Sequence, residues 1–155
     1  MSPTVLLAFL VAAVAGAEAA CPADWVELNG DCYWWTPSSI SGSQLADACR
    51  AVLTDAVPVS VHSAAQNSQL AESLVHGFPV WLGLYRPDGS GAEFAWTDGS
   101  QIDFQFWADG QPAGDGELCV YINADPQTGT WAACDCQQWM LPYMCRLPGG
   151  AASRG

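Results

Sequence analysis

The chain has 155 residues, a formal net charge of −12 and only four basic residues, all arginines. A chain this acidic cannot neutralise a phosphate backbone or dock on an anionic bilayer, which excludes nucleic-acid and membrane-surface binding. Eight Trp, five Phe and four Tyr give it enough apolar area for one folded domain, which excludes disorder.

The first twenty residues stand apart. Val5 to Val14 is an almost continuous apolar run, followed by small residues ending in Ala17-Glu18-Ala19. The run is too short to cross a bilayer and fits the apolar part of a secretory signal. Cleavage after Ala19 or Ala20 predicts a soluble, secreted, extracellular product of about 135 residues. All seven cysteines, Cys21, Cys32, Cys49, Cys119, Cys134, Cys136 and Cys145, lie after the signal. In an oxidising compartment this reads as a disulfide framework with one thiol left over, and spacing alone leaves the pairing open. A structural zinc site is disfavoured, because neither His62 nor His76 sits in a ligand spacing with the cysteines.

Trp25-Val-Glu-Leu and Cys32-Tyr-Trp-Trp are strand-like runs around the turn signal Asn29-Gly30-Asp31, predicting a hairpin. Ser41 to Gln44 is a capping-box pattern, after which Leu45, Ala48, Cys49 and Val52 recur at helical spacing. Ser63 to Gln66 is a second such box, opening a helix with Leu70, Leu74 and Val75 on one face. Val80-Trp-Leu-Gly-Leu-Tyr85 reads as a buried strand with apolar residues on both faces. Residues 86–117, rich in Gly, Asp and Pro with isolated aromatics, read as long ordered loops. Leu118–Ile122, Thr130–Ala133 and Tyr143–Arg146 are three further short strands, and residues 148–155 form a frayed tail. Early helices and late strands make the fold class α+β.

Across Cys21–Arg146 the chain resembles the long form of the C-type lectin-like domain. The resemblance is carried by Cys21 and Cys32 with Trp25 and Tyr33, by Ala48-Cys49, and by Trp81-Leu82-Gly83-Leu84. Trp96-Thr-Asp-Gly99, Trp107-Ala-Asp-Gly-Gln-Pro112, Cys119-Val120, Trp131, Cys136 and Tyr143-Met-Cys145 follow in the family's order. It implies a C-type lectin-like domain over residues 21–147, two helices with short antiparallel strands, and ligand binding in the long loops. It also implies the pairs Cys21–Cys32, Cys49–Cys145 and Cys119–Cys136, with Cys134 unpaired. Two residues apart on one strand, Cys134 and Cys136 face the same way, so spacing alone leaves either as the partner of Cys119.

Members of this family resemble one another in a calcium ion that bridges the protein to two sugar hydroxyls. The resemblance places its ligands in a Gln-Pro-Asp or Glu-Pro-Asn tripeptide, a following Glu, and Asn-Asp after the late Trp. Here the matching residues are Gln111-Pro112-Ala113, Glu117, and Ala132-Ala133 after Trp131. Gln111 and Glu117 keep oxygens; the three alanines carry none. Calcium takes roughly six to eight oxygens, several of them charged, so affinity on the order of millimolar or weaker is expected. Asp109, Asp115 and Asp125 are nearby loop acids, either solvated or the makings of a shifted site. No cofactor is therefore expected.

These residues point to a secreted binding module for carbohydrate or protein, acting without the usual calcium bridge. Its candidate contacts are Gln111, Asp115 and Glu117, with Phe104 and Phe106 as loop aromatics able to stack on a sugar ring or anchor a protein. Trp107 is expected to pack inside the loops. The alternative is an acidic structural or surface-binding protein facing mineral or ice. Catalysis is not expected, since no nucleophile–histidine pair is visible and both histidines lie near the second helix. A monomer is expected, with Cys134 the one point for a cross-linked dimer.

Overall fold

A computed structural model describes residues 21–89, 91–124 and 128–149. The expected signal, Asp125 and the tail beyond Gly149 lie outside these residues. Strands β1 (Val26–Leu28) and β2 (Asp31–Ser41) form the expected hairpin. Asn29 (φ 55°) and Gly30 (φ 89°) supply the two left-handed residues that a tight hairpin turn requires. A single 3-10 turn, Gly42–Gln44, leads into α1 (Leu45–Val52). There the expected capping box forms, with the Ser41 N–H donating to Gln44 Oε1 at 3.2 Å.

Helix α2 (Ala64–Ser68) is shorter than its periodicity predicts, because the chain widens into a π-helical turn over Gln69–Leu74. Val75 N–H reaches back to Leu70 O at 3.0 Å, which closes that wider turn. Leu70, Leu74 and Val75 are nonetheless buried together. The Ser63 hydroxyl accepts from Gln66 N–H, as a cap should, but the Gln66 side chain leaves the box. Its Oε1 accepts from His62 N–H, and its Nε2 donates to Tyr33 OH and Ser60 O.

The remaining strands are β3 (Val57–Pro58), β4 (Val80–Arg86), β5 (Ala95–Trp96), β6 (Leu118–Ile122), β7 (Trp131–Asp135) and β8 (Met140–Leu147). The main sheet runs β1-β2-β8-β4-β6-β7, with β3 beside β8 and β5 beside β4. Alternation along β4 and β6 splits the buried residues between two clusters. Val80, Leu82, Leu84, Leu118, Val120 and Ile122 face one of them, and Trp81 and Cys119 the other. Trp81 is fully buried and its Nε1–H donates to Ile40 O at 2.9 Å. Gly83 has a steric reason: a Cβ there would lie 2.8 Å from Thr97 Oγ1 and 2.9 Å from Pro58 Cβ. This close approach lets Gly83 N–H bond Val59 O, and Gly83 O accept from Thr97 N–H.

Three disulfides pin the elements: Cys21–Cys32, Cys49–Cys145 and Cys119–Cys136. Cys134 stands opposite Cys119 in the β6–β7 ladder but is the free thiol, and it is buried. The structure thus resolves the choice that spacing left open.

Candidate functional site

The long segment between β4 and β6 is held by aromatic packing around Trp131. Phe104, Trp96 and Trp107 stand edge-on to its ring, with centroids 5.7, 5.7 and 5.8 Å away. Trp131 Nε1–H donates to Asn67 Oδ1 at 2.8 Å, and Asn67 Nδ2 donates to Gly129 O, so the central indole is paired, whereas the buried Nε1 of Trp96 has no hydrogen-bond partner among the described residues. Backbone bonds fasten the loop to β7: Trp131 N–H to Phe106 O and Ala108 N–H to Trp131 O. Phe104 and Trp107 are therefore packing residues, half-buried against the core. Phe106 is 39% exposed and alone of the three offers a free ring edge.

Gln111 enters the site through Gln111-Pro112, a cis peptide bond. Its side-chain Oε1 accepts from Ala113 N–H and from Ala133 N–H, each at 3.1 Å. An amide oxygen has two lone pairs, and both are used within the protein. Ala132 and Ala133 are buried and end at Cβ, while Asp109, Ala113 and Asp115 are exposed. Glu117 is half-buried and faces a groove beside β4 and α1, with no hydrogen bond or ion pair to any described residue. Among the described residues, no group of three or more His, Cys, Asp or Glu side chains is placed to hold a metal ion. The structure thus brings Gln111 to Ala113 and Ala133, and neither Glu117 nor Asp115 hydrogen-bonds to this group.

A second polar centre at the edge of the loops escaped the sequence reading. Contrary to expectation, His62 does reach the long loop: its Nδ1 is 2.7 Å from Asp103 Oδ1. Its Nε2 lies 3.1 Å from Ser60 Oγ and 3.2 Å from Ser100 Oγ. This looks like a serine–histidine–aspartate arrangement, but the protons run the other way. Ser60 and Ser100 both donate their hydroxyl protons to Asp98, each at 2.5 Å, so the imidazole does not draw on either one.

Asp98 also receives Arg146 Nη2 at 2.9 Å, while Arg146 Nη1 binds Asp31 at 2.8 Å. One guanidinium thereby joins the first hairpin, β8 and the loop after β5. Burial works to raise the Asp98 pKa, but bonds from Ser100 and Ser60 and the Arg146 charge outweigh it, so the carboxyl titrates below its usual range. The bond from His62 lowers Asp103 as well. The only hint in the sequence was Asp98, inside Trp96-Thr-Asp-Gly99; nothing marked Ser60 as its partner.

The sequence profile of the Lectin C-type domain matches residues 38–147. A second profile, the carbohydrate-binding C-type lectin-like UL45 protein, matches residues 2–72. The human C-type lectin domain family 10 member A is 31% identical over 145 residues, covering 86% of this chain. This chain spans 42% of that relative's length. Among solved structures, the carbohydrate-recognition domain of cow CD23, solved with an oligosaccharide present, superposes with a TM-score of 0.70. It shares 27% identity and covers 83% of this chain and 95% of that one. A calcium-dependent type II antifreeze protein in its calcium-free form gives a TM-score of 0.71 at 26% identity, covering 81% of this chain and 98% of that one. With the sheet order, three disulfides and buried Trp-Leu-Gly-Leu strand described above, these matches establish that the chain belongs to the C-type lectin domain family.

Proposed function

We propose that this protein is a secreted binding module that recognises a glycan or a protein through its long-loop face without a calcium bridge. One observation carries the reading: Gln111 Oε1, the amide oxygen at the usual first ligand position, is spent on Ala113 N–H and Ala133 N–H. The residues present do not fit a calcium ion. Three of the five ligand positions are alanine, one amide oxygen is committed elsewhere, and Glu117 alone is a single charged donor. Recognition then falls to what the long-loop segment exposes, namely Phe106, Asp109 and Asp115. An exposed aromatic ring and exposed carboxylate acceptors on one segment suit the apolar face and hydroxyls of a neutral sugar, or a protein surface of matching shape. Export rests on the short apolar leader and on the three disulfides.

A glycan array probed with and without calcium, alongside calorimetric titration with Ca²⁺, tests this. The expected result is a binding pattern that EDTA leaves unchanged and no saturable calcium heat in the micromolar range. A micromolar calcium affinity that disappears in Glu117→Ala would overturn it. The net charge of −12 favours one second reading, adsorption to a mineral or ice surface. It gains ground if the array is silent and the protein adsorbs to calcium carbonate or reshapes growing ice.

A further inference from the structure

Three cysteines converge beneath the turn that leads into α1. Cys119 on β6 is bonded to Cys136, just past the end of β7, with Cα atoms 5.0 Å apart. Cys134 is the residue directly opposite Cys119 in the antiparallel β6–β7 ladder. Opposed residues point to one face with Cα atoms roughly 4.5–5.5 Å apart, inside the roughly 4.4–6.8 Å that a disulfide spans. All three side chains lie in the same buried cluster. Cys119 therefore has two partners within covalent reach. Solvent has almost no access to any of them: Cys119 is 7% exposed, Cys134 9% and Cys136 1%. Gly42 closes the bond from the α1 side, where a Cβ would lie 2.7 Å from Cys119 Sγ, and Ser43 N–H bonds Cys136 O at 3.2 Å. A thiol reagent from solvent is shut out, whereas Cys134 needs no entry path.

We propose that Cys119 exchanges partners inside the folded protein, so that the chain interconverts between two disulfide isomers, Cys119–Cys136 and Cys119–Cys134. The step needs neither oxidant nor reductant. Cys134 gives its proton to hydroxide, and its thiolate attacks Cys119 Sγ. The Cys119–Cys136 bond breaks, and Cys136 Sγ leaves with the electron pair and takes a proton from water. Three disulfides and one thiol remain throughout. Burial and the Asp135 charge keep Cys134 protonated, so the exchange is slow at neutral pH and gains about tenfold per pH unit on the way to the thiol's value of about 12. The exchange has a mechanical consequence. The covalent tie retreats from beyond β7 into the strand, leaving the segment from Asp135 to Met140 without its anchor to β6. That segment carries Trp139, half-exposed and stacked on Tyr121 with ring centroids 6.1 Å apart, so the second isomer loosens the seating of a surface indole. The inference concerns the sheet and holds whatever the long loops bind.

The test holds the full secreted protein, folded and without added thiol, at a series of pH values from 7 to 10. Samples are quenched in acid, denatured, labelled with N-ethylmaleimide and mapped by peptide mass spectrometry. The expected result is label chiefly on Cys134 and, in about 0.1–10% of molecules, on Cys136. The approach to that share should quicken about tenfold per pH unit and be independent of protein concentration. Label confined to Cys134 at every pH, a rate indifferent to pH, or a rate that rises with protein concentration would each overturn the proposal. Cys136→Ser should form the Cys119–Cys134 bond and show no free thiol; two free thiols in the folded variant would overturn it. If that variant does not fold, the wild-type map decides alone. Cys134→Ser, which removes the attacking sulfur, should take no label at any pH, and label on its Cys136 would show that another nucleophile opens the bond, against the proposal.

Discussion

Gln111 and Ala133 are joined side chain to backbone: Gln111 Oε1 accepts the Ala133 N–H at 3.1 Å, across 22 residues of sequence. The same oxygen takes Ala113 N–H, so one amide group fixes the turn of the long loop onto β7. Gln111→Ala leaves a partly buried donor without a partner, a loss of roughly 1–3 kcal/mol. The melting temperature should fall by about 2–8 °C, and Gln111→Glu, which keeps an acceptor, should recover most of it. Scanning calorimetry on the three proteins decides the matter. An unchanged melt in Gln111→Ala would show that the loop does not depend on this bond.

The disulfides should rank by the length of chain they close. Cys49–Cys145 spans 96 residues and Cys21–Cys32 spans 11. In the chain-entropy picture these contribute roughly 4–5 and roughly 3 kcal/mol. Both sulfurs of the longer link sit in the core, so its loss also disturbs packing. Cys49→Ala with Cys145→Ala is therefore expected to melt below Cys21→Ala with Cys32→Ala. The reverse order would mean that the hairpin clasp matters more than loop length.

Cys134 should be a silent thiol. Burial, helped by the neighbouring Asp135 charge, pushes it up from 9.0 to about 12. Native protein at neutral pH should resist thiol reagents, denatured protein should label once, and non-reducing electrophoresis should show a monomer. A dimer band abolished by Cys134→Ser would overturn this. Linkage adds a second signature. Because the folded thiol holds its proton more tightly than the unfolded one, its contribution is complete below pH 9 and is lost as the pH rises toward 12. Cys134→Ala should flatten the alkaline loss of stability, leaving the share of Tyr33 and Tyr121, both raised chiefly by burial.

Asp98 governs the acid side. Its folded pKa lies below the ordinary carboxylate value of 3.8, so its contribution is complete above that value and is lost as pH falls through the folded one. Asp98→Asn should lower stability at neutral pH and reduce its acid dependence, as urea unfolding at a series of pH values would show. A parallel pair of pH profiles for the two proteins would assign the acid sensitivity to other carboxylates.

The sequence revealed what local pattern encodes and missed what only tertiary contact creates. The turn at Asn29-Gly30, the strand Val80–Arg86 and β6 were legible because turn chemistry and continuous apolar runs are local signals. The family register supplied the disulfides, including the choice of Cys136 over Cys134. Strand β3 was not legible: two residues, one a proline, form no pattern, and they pair with β8 only because the chain folds back there. The early end of α2 escaped for a similar reason, since a π-helical turn keeps the same apolar face that an α-helix would show. At the site, the three alanines announced the missing oxygens. The diversion of Gln111 to two backbone amides, and of Glu117 to a separate groove, required the three-dimensional arrangement.

The ring cluster around Trp131 has an optical consequence. Two indoles, Trp96 and Trp107, stand nearly perpendicular to the ring of Trp131, with centroids 5.7 and 5.8 Å from it. Transition dipoles so close and so rigidly skewed couple, and the coupling gives circular dichroism a signed signal of its own. Trp107 belongs to the long loop, while Trp96 in β5 and Trp131 in β7 belong to the sheet. The protein therefore carries an intrinsic reporter of loop seating, one that registers a ligand pulling the loop from the sheet without any label attached.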